Sequence, residues 1–294
     1  MPRNFLTVRE LGEHTSWLLV QQATGIPDAK LCTNEMEDKV ALLFFAQPAL
    51  PERLCVTAAF RQMGGATVYE SEVSDDWRKE MRMIQTHLLR IFNCYLDCMY
   101  IYGYPISETE ERQENADVDY PVINAGAPDA HPAHALADIA CIMRTERYLD
   151  KIALSWVGRA NGTLRSLIAA AKYFPVSLKI SMPSSDEDMA VLDRFIQETE
   201  VDVTFAETPA EAVKGSNAVY AGIWAGDDEE SPWRIDSALM KNASSHARIM
   251  LGARPIDAVP VESTLLSGKT SLLPKQSEYR LRLHKRILHW VFDV

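Results

Sequence analysis

His131 and His134 stand three residues apart in the segment His131-Pro132-Ala133-His134, a spacing that places both imidazoles on one face of a helix. Two imidazoles so placed serve either as metal ligands or as hydrogen-bonding groups. Two ligands without an accompanying carboxylate signature are weak grounds for a metal, so neutral histidines that hydrogen-bond a partner are expected and no metal is. Cys94 and Cys98 are spaced to share a helix face, as a metal or redox pair or as two small apolar packers. The usual behaviour of buried free cysteine favours packing. Gly158-Arg159-Ala160-Asn161-Gly162 follows an apolar run in the manner of a dinucleotide loop. It lacks the G-x-G-x-x-G spacing, so no cofactor is expected.

Alternating helices and strands must position these groups. Residues 7–23 read as a helix with Thr7 as N-cap, residues 41–45 as a buried strand, and residues 52–63 as a helix ending at Gly64-Gly65. Strands follow at 66–69, 98–102 and 121–124, with a helix over 76–93 and a long helix over 131–148 that carries proline in its first turn. The second half repeats the pattern, with strands at 151–157, 177–180, 201–205, 218–221 and 247–251 and helices at 163–173 and 185–199. An amphipathic helix over 277–292 closes the chain. Strands alternating with helices imply an α/β fold with two doubly wound parallel-sheet domains linked by long helices. The expected domains are residues 1–145, with helix 277–294 packing back on them, and residues 146–276.

The 294 residues include 30 Lys and Arg against 41 Asp and Glu, a formal net charge of −11 that argues against a nucleic-acid partner. No apolar run reaches the ~18 residues of a membrane span, and the start of the chain lacks a secretory signal. Five cysteines without a C-x-x-C pair suit reduced thiols and a cytoplasmic location.

Several segments resemble the aspartate/ornithine carbamoyltransferase family over nearly the whole length. Phe44-Phe45, Pro48, Arg53 and the run Ala59 to Gly65 match its first phosphate loop and the helix after it. Pro121-Val122-Ile123-Asn124-Ala125, followed by His131-Pro132-Ala133-His134-Ala135-Leu136-Ala137-Asp138, matches PVINxx…HPxQALAD and is the most specific match. The run Glu211 to Tyr220 with Trp224 is similar to EAVKGADVVYTDVW, and Glu278-Tyr279-Arg280-Leu281 to the ENRL segment. The resemblance implies an N-terminal carbamoyl-phosphate domain, a C-terminal amino-acid domain and a homotrimer. It also implies attack of an amino group on carbamoyl phosphate with loss of phosphate. It assigns His131 to polarising the carbamoyl oxygen, and Arg53 and Arg280 to the donor side. It places Asn161, Thr163 and Arg165 where the carboxylate of a bound amino acid sits, although helix capping and surface charge are the favoured explanation of the three.

The departures fall on the chemistry. The S-T-R-T-R phosphate loop aligns with Ala49, Leu50, Pro51, Glu52 and Arg53, so two hydroxyls and one arginine are gone. Glu52 suits the positive end of a helix and would repel a phosphate there. A second phosphate arginine aligns with Tyr102, the glutamine of HPxQ with His134, and HCLP with Gly252-Ala253-Arg254-Pro255, where a cis bond is expected. The acid that ornithine-type members use aligns with Gly222. A hydrogen bond to a charged group contributes about 1.5–3 kcal/mol, so losing two arginines removes roughly two to four powers of ten in affinity. Arg282, Lys285 and Arg286 are expected on a solvated helix face.

The expected function is a repurposed transferase. It would bind an amino-acid-like ligand in the cleft between the domains. His131, His134 and Tyr102 would be its catalytic groups, and Arg53, Glu52, Asn161, Thr163, Arg254 and Arg280 would contact substrate. A silent paralogue, serving as trimeric scaffold or partner subunit, is the alternative. A metal enzyme built on the two histidines ranks last.

Overall fold

The computed structural model describes residues 2–26, 28–71, 89–107, 109, 118–146, 151–183, 186–222, 233–252 and 261–294. The chain divides into two compact units, residues 1–133 with 280–294, and residues 134–279. The first boundary falls inside the first turn of a long helix, about a dozen residues before the position expected from sequence.

In the first unit, strands β1 (Val40–Phe45), β2 (Ala66–Ser71), β3 (Cys98–Tyr102) and β4 (Val122–Gly126) form a parallel sheet in the order β2-β1-β3-β4. Both β1 and β3 read as near-continuous apolar runs because both of their faces are covered, as strands of a parallel sheet require. Helix α1 (Val8–Gly25) precedes the sheet, and Thr7 caps it by accepting from the Glu10 N–H at 3.2 Å. Helix α2 (Leu50–Gln62) joins β1 to β2 and starts with Pro51, whose missing N–H is no loss in a first turn. The expected helix over 76–93 lies largely outside the described residues. Cys98 opens β3, whereas Cys94 is exposed in the turn before it. The two thiols therefore share no helix face: the chain leaves the helical path between them to enter the sheet.

In the second unit, strands β5 (Ile152–Val157), β6 (Val176–Ser181), β7 (Val203–Phe205), β8 (Ala218–Ala221) and β9 (Arg248–Leu251) form a parallel sheet in the order β7-β6-β5-β8-β9. Helices α3 (Pro132–Thr145), α4 (Gly162–Ala171), α5 (Asp186–Thr199), α6 (Pro209–Val213), α7 (Ser237–Met240) and α8 (Ser263–Ser267) accompany it. The order reverses between β5 and β8, and the loops after such strands are the usual place for a ligand in sheets of this kind.

Helix α9 (Leu273–Phe292) runs from the second unit into the first, which it enters at Arg280. It buries Leu283, Ile287, Leu288 and Val291. Lys285, expected in solvent, is 5% exposed. Its ammonium donates to the carbonyls of Ala29 and Leu31 at 2.8 and 2.6 Å. The reason is tertiary: the loop after α1 brings two carbonyls to that face of α9, and they replace the water that the charge would otherwise need.

Candidate functional site

The C-terminal ends of β1, β3 and β4 present the chemistry of the first unit. β3 and β4 slip by one residue there, because Ile101 pairs with Asn124 and Tyr102 with Gly126, leaving Ala125 as the extra residue of a bulge. Asn124 organises the loop after the bulge. Its amide donates to the carbonyls of Leu6 and Ala130 at 2.9 and 3.0 Å. Its oxygen accepts from the N–H groups of Gly126 and Ala127 at 2.8 and 2.9 Å. A fully buried amide that uses all four of these bonds fixes the loop from 124 to 130 and so aims His131, which stands just before α3.

Gly126 sits at φ 153°, and a β-carbon there would lie 2.6 Å from the Tyr102 ring and 2.7 Å from Nε2 of His131. The absent side chain is therefore the space that Tyr102 and His131 occupy. Tyr102 stacks on Phe45 with ring centroids 5.1 Å apart, and Phe45 meets Tyr69 edge-on at 5.9 Å. The Arg53 guanidinium lies over the Tyr69 ring, 4.3 Å from its centroid. Arg53 thus has an aromatic face beneath it, an interaction of roughly 0.5–2 kcal/mol.

Glu52 is in the first turn of α2 and is 7% exposed. His131 and His134 are 5% and 4% exposed. Within the first unit, ligand-type atoms of Glu52 and His131 lie within 4.8 Å of each other. This carboxylate, which no local pattern placed beside His131, comes from 79 positions upstream, in the first turn of α2. Burial pushes the His131 imidazole well below its usual value, and the Arg280 guanidinium and His284 push in the same direction. The ring is therefore neutral at physiological pH, which leaves it able to donate one hydrogen bond and accept another. His284 is lowered to about 4 by burial and by Arg280. Burial raises the Cys55 thiol to about 12, with Arg280 opposing and Glu52 assisting. Cys55 is an inert thiol there, not a nucleophile.

In the second unit Asn161 caps α4, accepting from the N–H groups of Thr163 and Leu164 at 2.9 and 3.1 Å. The capping role anticipated for it is what the geometry gives, and Thr163 is buried at 2% exposure. Trp156 is a residue that sequence reasoning passed over. Its indole stacks on Tyr220 at 4.9 Å, and its N–H donates to the carbonyls of Gly158 and Arg159 at 3.1 and 3.2 Å. A β-carbon on Gly222 would lie 2.7 Å from that indole nitrogen. The Tyr220 hydroxyl in turn donates to the buried Asp138 carboxylate. Trp156 so takes the room that a side chain at 222 would need. The signal available in the sequence was the glycine itself. Arg254, its bond to Pro255, and the acidic loop around 225–232 lie outside the described residues.

Two parallel sheets with flanking helices, one in each unit, define a two-unit α/β protein. Residues 3–144 match the family model described as aspartate/ornithine carbamoyltransferase, carbamoyl-P binding domain, and residues 150–291 match its Asp/Orn binding domain. The chain belongs to the aspartate/ornithine carbamoyltransferase family. It is 27% identical to the ornithine carbamoyltransferase of Nitratidesulfovibrio vulgaris (strain DP4), with 99% of each chain covered. It is 22% identical to that of Bacillus subtilis (strain 168), covering 97% of this chain and 92% of the relative. Its fold matches the ornithine carbamoyltransferase of Burkholderia thailandensis E264 with a TM-score of 0.84 at 22% identity, covering 98% of each chain. That of Thermus thermophilus matches at 0.83 and 21%, with 99% of each chain covered. Among the described residues no helix is long and apolar enough to cross a membrane.

Proposed function

We propose that this protein is a transferase of the family whose donor site no longer takes carbamoyl phosphate in the usual way, and that it acts on an amino-acid-like substrate. The observation that carries this reading is Glu52, a buried carboxylate in the first turn of α2 where relatives place a phosphate. A dianion brought beside a carboxylate in a low-dielectric pocket is repelled by several kcal/mol rather than held. Tyr102 stacked on Phe45 supports the same reading, because an aromatic ring stands where the family motif has a cationic side chain. Neutral His131 keeps the hydrogen-bond capacity to polarise a carbonyl oxygen. Working as a cytoplasmic homotrimer is part of the proposal.

Ornithine is the first acceptor to test, since the relatives are named for it. Gly222 speaks against ordinary ornithine binding, because Trp156 closes the space that an acid there would use. The test is a thermal-shift panel run beside a citrulline-forming assay. Ornithine or another amino acid should raise the melting temperature by mass action, while millimolar inorganic phosphate and carbamoyl phosphate should not. Citrulline formed from carbamoyl phosphate and ornithine at an enzymatic rate would show an ordinary ornithine carbamoyltransferase and end the proposal. A silent paralogue is favoured by Arg53 lying on Tyr69 rather than in an open pocket. It predicts no shift with any ligand and co-purification of an active carbamoyltransferase.

A further inference from the structure

We infer that Tyr100 and His284 hold one internal water molecule between them, in a closed site inside the first unit. Tyr100 stands in the middle of β3, paired with Leu43 on one side and Ile123 on the other, and is 0% exposed. His284 lies on the part of α9 that belongs to the same unit and is 3% exposed. Their rings meet with centroids 5.8 Å apart and planes tilted at 58°. The phenol oxygen of Tyr100 and Nδ1 of His284 are both shut off from solvent, and neither has a hydrogen-bond partner among the described residues. Buried polar atoms are costly to leave unpaired. Two of them in one ring contact suit an internal water, which makes two to four hydrogen bonds to such groups. Two hydrogen bonds through one oxygen span up to about 5.6 Å, and tilted planes diverge on one side to admit it.

The chemistry of the two groups selects a neutral occupant. Burial lifts the Tyr100 phenol well above its ordinary value, and the Cys98 and Cys55 thiols push the same way. Burial lowers His284 to about 4, with the Arg280 guanidinium assisting. Both side chains are therefore uncharged at neutral pH. A phenol both donates and accepts, and a neutral imidazole does one of the two at Nδ1. Neither offers the counter-charge that a buried ion needs, whereas water serves both. The consequence reaches His131, on which His284 acts electrostatically. With the water in place His284 is hydrogen-bonded without taking a proton, so it adds no second cation to the surroundings of His131.

A high-resolution crystal structure of the full chain should show one ordered oxygen at about 2.6–3.2 Å from both Tyr100 Oη and His284 Nδ1. In solution, magnetic relaxation dispersion of oxygen-17 water counts long-lived internal waters. Tyr100→Phe, which keeps the ring, and His284→Leu should each lower the count per chain by one, and the double variant also by one, not two. Tyr95→Phe alters a phenol that is 68% exposed and should leave the count unchanged. A direct hydrogen bond between Tyr100 Oη and Nδ1, or a contact with no ordered oxygen, would overturn the inference. An oxygen that persists in both variants is held by other groups and would overturn it too. The crystal structure of the parent decides even where a variant fails to fold. Nothing in this site depends on the ligand that either unit takes, so failure here is separable from failure of the proposed function.

Discussion

Gly222 and Trp156 are fitted to each other: a β-carbon on the glycine would stand 2.7 Å from Nε1 of the indole. The indole cannot swing away cheaply, because it stacks on Tyr220 and donates to the Gly158 and Arg159 carbonyls. Gly222→Ala should therefore destabilise the second unit by about 1–3 kcal/mol, the usual cost of overpacking. Gly222→Asp should cost more, because it buries a carboxylate against a ring, and should not by itself create ornithine binding. Urea unfolding and ornithine titration check both points. An aspartate variant that is stable and binds ornithine would show that Trp156 moves aside.

Gly126→Ala is a second steric test. The residue lies at φ 153°, and its added carbon would meet the Tyr102 ring at 2.6 Å. The expected loss is about 1–3 kcal/mol from crowding, with backbone strain in addition. Combining it with Tyr102→Ala should give a loss smaller than the sum of the two single changes, because both act on one space. Strict additivity in a double-mutant cycle would contradict the packing described.

Asn124→Ala leaves two carbonyls and two N–H groups of a buried loop without their partner. Unsatisfied buried groups cost about 1–3 kcal/mol each, so a loss of roughly 3 kcal/mol or more is expected. Any ligand that depends on His131 should also bind more weakly, since Asn124 aims the loop before it. A change below about 1 kcal/mol in chemical denaturation would show that water takes over these bonds.

Acid should weaken the fold through its buried histidines. The folded-state value of His284 is lowered to about 4 from an ordinary 6.5, and His131 is lowered too. The unfolded chain then binds more protons than the folded one between those values. Stability is complete above pH 6.5 and falls as pH drops toward 4. The lowered value gives His284 a contribution of roughly 3–4 kcal/mol across that window. His284→Gln should flatten the profile. Equal slopes in the variant and the parent would remove His284 as the cause.

Much of the fold was legible because its signals are local. The apolar runs of β1 and β3, Thr7 and Asn161 as caps, and proline at the start of α3 are each decided by neighbours a few residues away. Lys285 shows the limit. Its place on a charged stretch of helix says solvent, and only the loop after α1 supplies the carbonyls that take its charge into the interior. Cys94 and Cys98 show another. Their spacing fits a helix, and the sheet claims Cys98 instead.

The sequence by itself determined the order of strands and helices and the family. Those are properties of short segments, carried by periodicity, capping and motif. Only the tertiary structure decided which side chains from distant segments meet. Glu52 comes near His131 because α2 and the loop before α3 both follow the C-terminal ends of strands in one sheet. Tyr102 fills the space beside Gly126, and Trp156 the space beside Gly222, because close packing leaves no volume empty once a side chain is gone. Such juxtapositions depend on residues dozens of positions apart, and no local pattern encodes the distance between them.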